Sequence, residues 1–392
     1  MVSKFFILFI LLIILPDIYI DYHYFRKNTP IIKRLLWLVP MAVLLTYTCH
    51  MANQSDFIPL DYGNMEVFML LLGLLAIPKL VFCICSALAW GHHRYHKTPH
   101  RRWEDYIGIV AAIGSALLFL YGFTIGCQQI KVNRLTIQSS QLPPNMDGYQ
   151  IVHISDLHVG TYQGWRKKIL QKAIDSINAQ HPQLICFTGD LQNTRPIEIN
   201  KVKDLIGSKA FSCPVVSILG NHDYGKYAGG TYKEKRRVEK DMIKMQEDIL
   251  HWHLLRNSSY YPAPDKDSLF VVVGTENDGR PPFPTRCNYE KALQGIPDSA
   301  FIVMLQHDPS AWNRHILPNT KSQLTLSGHT HGGQISILGL RPTMIKYPQD
   351  YGLYEQDGRF LLVSGGLGGV VPFRLFLPAE INVITLRRSA SH

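Results

Sequence analysis

Apolar positions follow two regimes along this chain. Up to about residue 128 they form four long runs, Phe5–Tyr22, Leu35–Cys49, Val67–Trp90 and Tyr106–Cys127. A helix needs roughly 20 mostly apolar residues to cross a bilayer, so each run is a candidate span; the second is the shortest and carries Pro40. Beyond residue 128 the runs shorten and turn amphipathic. The KVNRLTI stretch from Lys131 alternates like an edge strand, and Pro143-Pro144 closes it. Tyr149–Ser155 predicts a strand. Trp165–Gln180 predicts a helix with Ile169, Leu170, Ala173, Ile174 and Ile177 on one face, and Leu184–Thr188 the returning strand. Lys233–Leu254 predicts a second helix, its stripe of Val238, Met242, Met245, Ile249 and Trp252 facing a core and its charged side facing water. Further strands are expected at Leu269–Val273, Phe301–Leu305, Leu324–Ser327, Phe360–Ser364 and Ile381–Leu386. They are too many for one small doubly wound sheet. The expected fold is therefore α/β, a two-sheet αββα sandwich, preceded by an all-α region of four transmembrane helices. The division falls at 1–128 for the spans, 129–147 for a connector and edge strand, and 148–387 for the globular part.

Charge refines this picture. Over 392 residues, 40 Lys and Arg stand against 30 Asp and Glu, a net +10. Much of the excess sits in two loops between spans: Arg26, Lys27, Lys33 and Arg34 in the first, Arg94, Lys97, Arg101 and Arg102 in the third. The second loop has no Lys or Arg but has Asp56, Asp61 and Glu66. Positive loops stay cytoplasmic, which places both termini and the globular part on the extracytoplasmic face of a cell membrane; Lys4, Lys131 and Arg134 weigh mildly the other way. Membrane topology thus accounts for the charge, and no specific nucleic-acid partner is implied. A cleaved signal peptide could explain the first run alone, but LPDIYIDY offers no small-residue cleavage site and three further spans follow, so a retained span is expected. Seven cysteines show no disulfide framework. Two charges fall inside spans, Asp17 and Lys79. As intramembrane charges they are candidates to pair within the bundle; the favoured expectation for Lys79 is a helix kinked at Pro78 with the ammonium snorkelling or facing a neighbouring helix. His92, His93, His96 and His100 are expected to belong to a solvated loop.

Five polar motifs each follow a predicted strand: Asp156-Leu157-His158, Gly189-Asp190, Gly220-Asn221-His222-Asp223, His307, and Gly328-His329-Thr330-His331. Open α/β sheets collect their chemistry at the carboxyl ends of strands, so the motifs can meet in one pocket. Asp, Asn and His suit divalent metals of intermediate hardness. In extended chain, residues two apart point to one side, which would let Asp156 pair with His158 and His329 with His331. His222 is free to serve as a general acid, oriented by Asp223. Singly each motif is weak, since an Asp after Gly caps turns and a buried His is usually a core residue. Five in order at five strand ends point to a metal site. Tyr347, Tyr351 and Tyr354 could line a substrate groove, or be ordinary surface and core aromatics.

Residues 148 to 387 resemble the calcineurin-like metallophosphoesterase superfamily, carrying its motif order as HISDLH, TGDL, GNHD, LQHDP and SGHTHGGQ. The closing SGGLGGVVPFRLFLPAEINVITL resembles membrane-associated bacterial members of phosphodiesterase type. The resemblance implies two divalent ions, Mn, Fe or Zn, one held by Asp156, His158, Asp190 and His331, the other by Asp190 as bridge with Asn221, His307 and His329. It implies hydrolysis of a phosphoester by a bridging hydroxide, with His222 assisting the leaving oxygen. A lipid or cell-envelope phosphodiester or pyrophosphate at the bilayer is the expected substrate. The alternatives are a phosphomonoesterase or phosphoprotein phosphatase, and a membrane sensor or scaffold with a degenerate site.

Overall fold

The structure, a computed structural model, describes residues 2–56, 58, 60, 62–262 and 269–389; Asp61 of the second loop lies outside them. The chain divides into two compact units, Met1–Ile125 and Gly126–His392.

The first unit is helical. Helix α1 (Val2–Ile20) runs on through a π-turn, Asp21–Phe25, and α2 spans Ile31–Ala52. Helices α3 (Tyr62–Leu71) and α4 (Ile77–His96) join through a second π-turn, Leu72–Ala76. That turn lies just before Pro78, whose missing N–H and bulky ring disrupt regular α-helical bonding. Helix α5 covers Arg102–Thr124. Four segments, Phe6–Phe25, Ile31–Ala52, Tyr62–His96 and Arg102–Gln128, are long and apolar enough to cross a membrane.

The expectation for Lys79 is corrected here. Its Nζ donates to both carboxylate oxygens of Asp17, at 2.7 and 2.9 Å. The Trp37 ring lies 4.9 Å from the ammonium. An isolated charge among apolar helices has no water to solvate it, so pairing outweighs the entropy of holding both side chains still. Lys79→Met should strand Asp17 and destabilise the unit by about 3–5 kcal/mol. A lowered melting temperature in detergent, largely restored by adding Asp17→Asn, is the expected result; an unshifted melting temperature would show that the pair contributes nothing.

The second unit has twelve strands among the described residues: β1 (Ile130–Ser139), β2 (Gln150–Ile154), β3 (Leu184–Phe187), β4 (Val215–Ser217), β5 (His253–Leu254), β6 (Ser258–Tyr260), β7 (Phe270–Gly274), β8 (Phe301–Leu305), β9 (Leu324–Ser327), β10 (Gly352–Gln356), β11 (Arg359–Val363) and β12 (Ala379–Arg388). They form two sheets, ordered β1-β12-β2-β3-β4-β5 and β10-β11-β9-β8-β7-β6. Alternation along the strands builds three apolar layers. Ile151, Cys186 and Val216 of one sheet meet Phe270, Val303 and Leu326 of the other in the central core. Val152, Ile185 and Phe187 face outward onto Leu170, Ile174 and Ile177 of the helix Lys167–Asn178. Val271, Ile302 and Leu361 face outward onto Trp312 and Ile316. This is the αββα sandwich. Its parallel strands β2, β3, β4 in one sheet and β7, β8, β9 in the other send several loops to one edge.

The second predicted helix is shorter than expected. It covers Tyr232–Lys244, followed by a π-turn, Met245–Ile249. Trp252 is buried, yet it reaches the core from beyond the helix and donates its indole N–H to the Ile206 carbonyl at 3.0 Å. Apolar spacing does not distinguish a helix from a turn that delivers the same side chain.

Candidate metal centre

Each motif leaves its strand through a tight turn, and the turns converge. The expectation that Asp156 and His158, or His329 and His331, align by strand alternation is corrected. All four have positive φ (52°, 47°, 73° and 52°), as does Asp190 (59°). Left-handed backbone, costly for residues with a Cβ, curls each loop so that side chains face inward. Glycines permit the close approach behind them. A Cβ on Gly220 would lie 2.2 Å from Asp190 Oδ1, and one on Gly328 would lie 2.3 Å from Asp156 Oδ2.

The donors cluster in overlapping groups. Ligand atoms of Asp156, His158 and His331 lie within 4.8 Å of one another, as do those of His158, Asp190 and His222, and those of Asp156, Asp190 and His307. Asn221 completes the set from the other side: its Oδ1 lies 3.1 Å from His307 Nε2 and 2.6 Å from His329 Nδ1. Asp190 stands centrally, its Oδ2 3.3 Å from His307 Nε2 and 3.7 Å from His158 Nε2. The structure therefore brings together all seven candidate ligands named from sequence.

Their surroundings suit divalent ions. Both His158 ring nitrogens and His331 Nδ1 are buried without a hydrogen-bond partner, an arrangement that costs free energy unless something accepts those nitrogens. Burial, with help from the His222 charge, pulls the His158 pKa well below the usual range, and burial pulls His331 down as well. Burial likewise takes His329 down to about 4. Neutral imidazole is the ligating form. Burial works against both the charge on Asp190 and that on His307. Their mutual attraction outweighs it, holding Asp190 well below the carboxylate range and His307 up at about 10. His307 Nδ1 donates to the Thr188 carbonyl at 2.7 Å, which presents Nε2 to the pocket.

His222 and Asp223 do not form the couple expected from sequence. His222 Nδ1 lies 2.6 Å from the Asn193 carbonyl, so a backbone acceptor orients the ring. Asp223 is fully buried and accepts instead from the backbone N–H groups of Asp190 (2.9 Å), Leu191 (3.1 Å), Gln192 (3.3 Å) and Gly220 (2.9 Å). Burial, then the Asp190 charge, pushes its pKa up to about 7 against those bonds. Its place is behind the site, stitching two loops together. Of the three tyrosines, only Tyr347 reaches the pocket, 3.0 Å from His329 Nε2; Tyr351 donates to Glu380 and Tyr354 to the Asp350 carboxylate.

Sequence reasoning missed several neighbours. Tyr227 stacks on His222 at 4.1 Å and accepts from Asn221 at 3.1 Å. Phe283 meets His329 edge-on at 4.5 Å. Buried Arg374 donates to the carbonyls of Gly365, Gly366 and Gly368 at 2.7–2.9 Å, and Gly366 backs Asp156 and His331. An arginine inside a glycine-rich apolar stretch is the sequence signal by which it could have been found.

Comparison with known families agrees with this geometry. Residues 149–333 match the calcineurin-like phosphoesterase family, and residues 3–127 match a family described as probable calcineurin-like phosphoesterase, transmembrane domain. Residues 149–333 are a calcineurin-like phosphoesterase domain. This phosphoesterase is 29% identical over 267 residues to an uncharacterized metallophosphoesterase, YkuE, of Bacillus subtilis, covering 66% of this chain and 86% of that one. It is 26% identical over 291 residues to a transmembrane protein with metallophosphoesterase domain of Danio rerio, covering 72% of this chain and 63% of that one. It is also 26% identical over 308 residues to the UDP-2,3-diacylglucosamine pyrophosphatase LpxG of Chlamydia muridarum, covering 65% and 88%. It is thus a metal-dependent hydrolase of phosphoric esters with a transmembrane region.

Proposed function

We propose that this phosphoesterase cleaves a phosphodiester or pyrophosphate in a lipid or cell-envelope molecule, from the extracytoplasmic face of a bacterial cell membrane. The observation that carries the reaction class is the convergence of seven Asp, Asn and His donors around Asp190. Asp156, His158, Asp190 and His331 would hold one divalent ion, and Asp190, Asn221, His307 and His329 the other, with Mn, Fe and Zn all compatible with the donor set. Such a pair would supply an activated water and neutralise negative charge on the phosphoryl oxygens. The chain's own residues do the rest. His222, oriented through Nδ1 by Asn193, has its other nitrogen to give a proton to the departing oxygen. Asp223 is a positioning residue that fixes the loops carrying Asp190 and His222. Lys346, whose ammonium lies 5.3 Å from the Phe283 ring centre and 5.5 Å from that of Tyr347, adds positive charge beside the pocket.

A lipid substrate is supported by the loop between His331 and Tyr347. Ser336 N–H donates to the Leu375 carbonyl at 2.9 Å, which holds this loop against a second one. Together they present Leu338 (98% exposed), Ile345 (94%), Leu340 and Phe376 to solvent. Clustered exposed apolar side chains mark a surface that meets lipid or protein. The Chlamydia muridarum relative is named for a diacylated pyrophosphate substrate, and four segments of this chain are long and apolar enough to cross a membrane.

Two assays test this proposal. A bis-aryl phosphate should be cleaved faster than a mono-aryl phosphate; the reverse order would favour a monoesterase. Leu338→Asp with Ile345→Asp should lower turnover of UDP-2,3-diacylglucosamine in nanodiscs by about tenfold, as expected for losing 1–2 kcal/mol of apolar contact, and leave the soluble diester unaffected. Equal loss on both substrates would show that the loop supports folding and not lipid contact.

A further inference from the structure

We propose that the hairpin joining α4 to α5 holds a divalent cation of the zinc type, separate from the catalytic pocket and independent of the substrate assigned above. The histidines of this segment were expected to be solvated. Instead His93, in the last turns of α4, is buried, and its Nε2 lies 2.8 and 2.7 Å from the two carboxylate oxygens of Glu104, in the first turn of α5. His100, between the helices, places Nδ1 3.3 Å from Glu104 Oε2. Ligand atoms of these three residues lie within 4.8 Å of one another. An ion with bonds of about 2.0–2.1 Å would set tetrahedral donors roughly 3.3 Å apart, so small adjustments suffice to seat one.

Protonation makes the case. His93 Nδ1 lies 2.6 Å from Thr98 Oγ1, and His100 Nε2 lies 3.0 Å from Asp105 Oδ1. Asp105 is itself held by the Tyr24 hydroxyl, which donates at 2.6 Å. A carboxylate only accepts, so Asp105 takes the His100 Nε2 N–H and leaves Nδ1 as a lone pair facing Glu104. The Thr98 hydroxyl can donate to His93 Nδ1, and His93 Nε2 would give up its proton on the Glu104 side as the ion binds. His100 Nδ1 is buried and has no hydrogen-bond partner. Trp90 stacks on the His100 ring at 4.6 Å and 9°, fixing its plane. The basic residues of the hairpin, Arg94, Lys97, Arg101 and Arg102, are exposed, and the Glu104 carboxylate turns to the imidazoles instead. Two imidazoles and one carboxylate form a zinc-type set, with water completing the shell. The ion would clamp the third span to the fourth.

The test uses the full chain in detergent, equilibrated with zinc and dialysed, with bound metal measured by mass spectrometry. His100→Gln keeps a polar side chain at the site but removes the ligating nitrogen. It should retain about one zinc fewer per chain than the parent while cleaving the bis-aryl phosphate at the parent rate. Equal zinc in both chains overturns the proposal. A second comparison starts from a chain carrying Asp190→Asn and His329→Asn, which cripples the catalytic pocket. That chain should still retain zinc and lose it on adding His100→Gln; if it retains none, the hairpin site does not exist. Should His100→Gln fail to fold, Glu104→Gln replaces it with the same readouts.

Discussion

Asp190→Asn is expected to lower kcat/KM on a bis-aryl phosphate by roughly 10⁴-fold, because residues acting as one catalytic unit lose nearly all their effect together. Asp190 is the donor shared by both proposed ion sites, 3.3 Å from His307 and 3.7 Å from His158, and it also accepts the His222 backbone N–H at 2.7 Å. An amide keeps the shape and can still accept that hydrogen bond, but it cannot offer two anionic oxygens. A second readout separates chemistry from folding. The parent chain with manganese at about 1,000 times its dissociation constant should gain about 4 kcal/mol of stability, seen as a raised melting temperature that a chelator reverses. The asparagine variant should lose most of that gain while its ion-free melting temperature stays near the parent's. A variant that hydrolyses at the parent rate would remove Asp190 from the centre.

The second large effect belongs to His222. His222→Gln should lower kcat by about 10²–10⁴-fold, the usual contribution of a positioned acid, with bound metal unchanged. The loss should depend on the leaving group. An alkoxide needs a proton as it departs, whereas a nitrophenolate hardly does, so the penalty should be large for alkyl diesters and small for nitrophenyl ones. Equal losses on both would assign His222 to binding substrate instead. Asp223→Asn offers a contrast, since the carboxylate touches backbone N–H groups and not the imidazole.

The layered fold and the seven donors were legible because both rest on strong local patterns: apolar strands ending in short polar motifs. The geometry of those motifs was not. Asp156 and His158 face one pocket through left-handed backbone, whereas alternation would have predicted the same outcome for a different reason. Tyr227, Phe283 and Tyr347 come to the pocket from loops of no regular period, so no spacing distinguishes Tyr347 from Tyr351. The partner of His222 is the Asn193 carbonyl, and a backbone acceptor leaves no residue-type signature. Asp17 and Lys79 sit 62 positions apart; hydropathy marks each as costly, but only helix packing pairs them.

Strand β12 lies between β1 and β2, and among the described residues it is the sole strand neighbour of β1. Ile130 pairs with Ala379, so on a ribosome adding about 5–20 residues per second the first strand waits roughly 10–50 s for its partner. During that interval the membrane helices have already emerged, while the ten-residue β1 has no strand paired to either edge. Assembly of the catalytic unit is therefore timed by the arrival of its last strand. A chaperone that shields strand edges should matter most for this chain within that window.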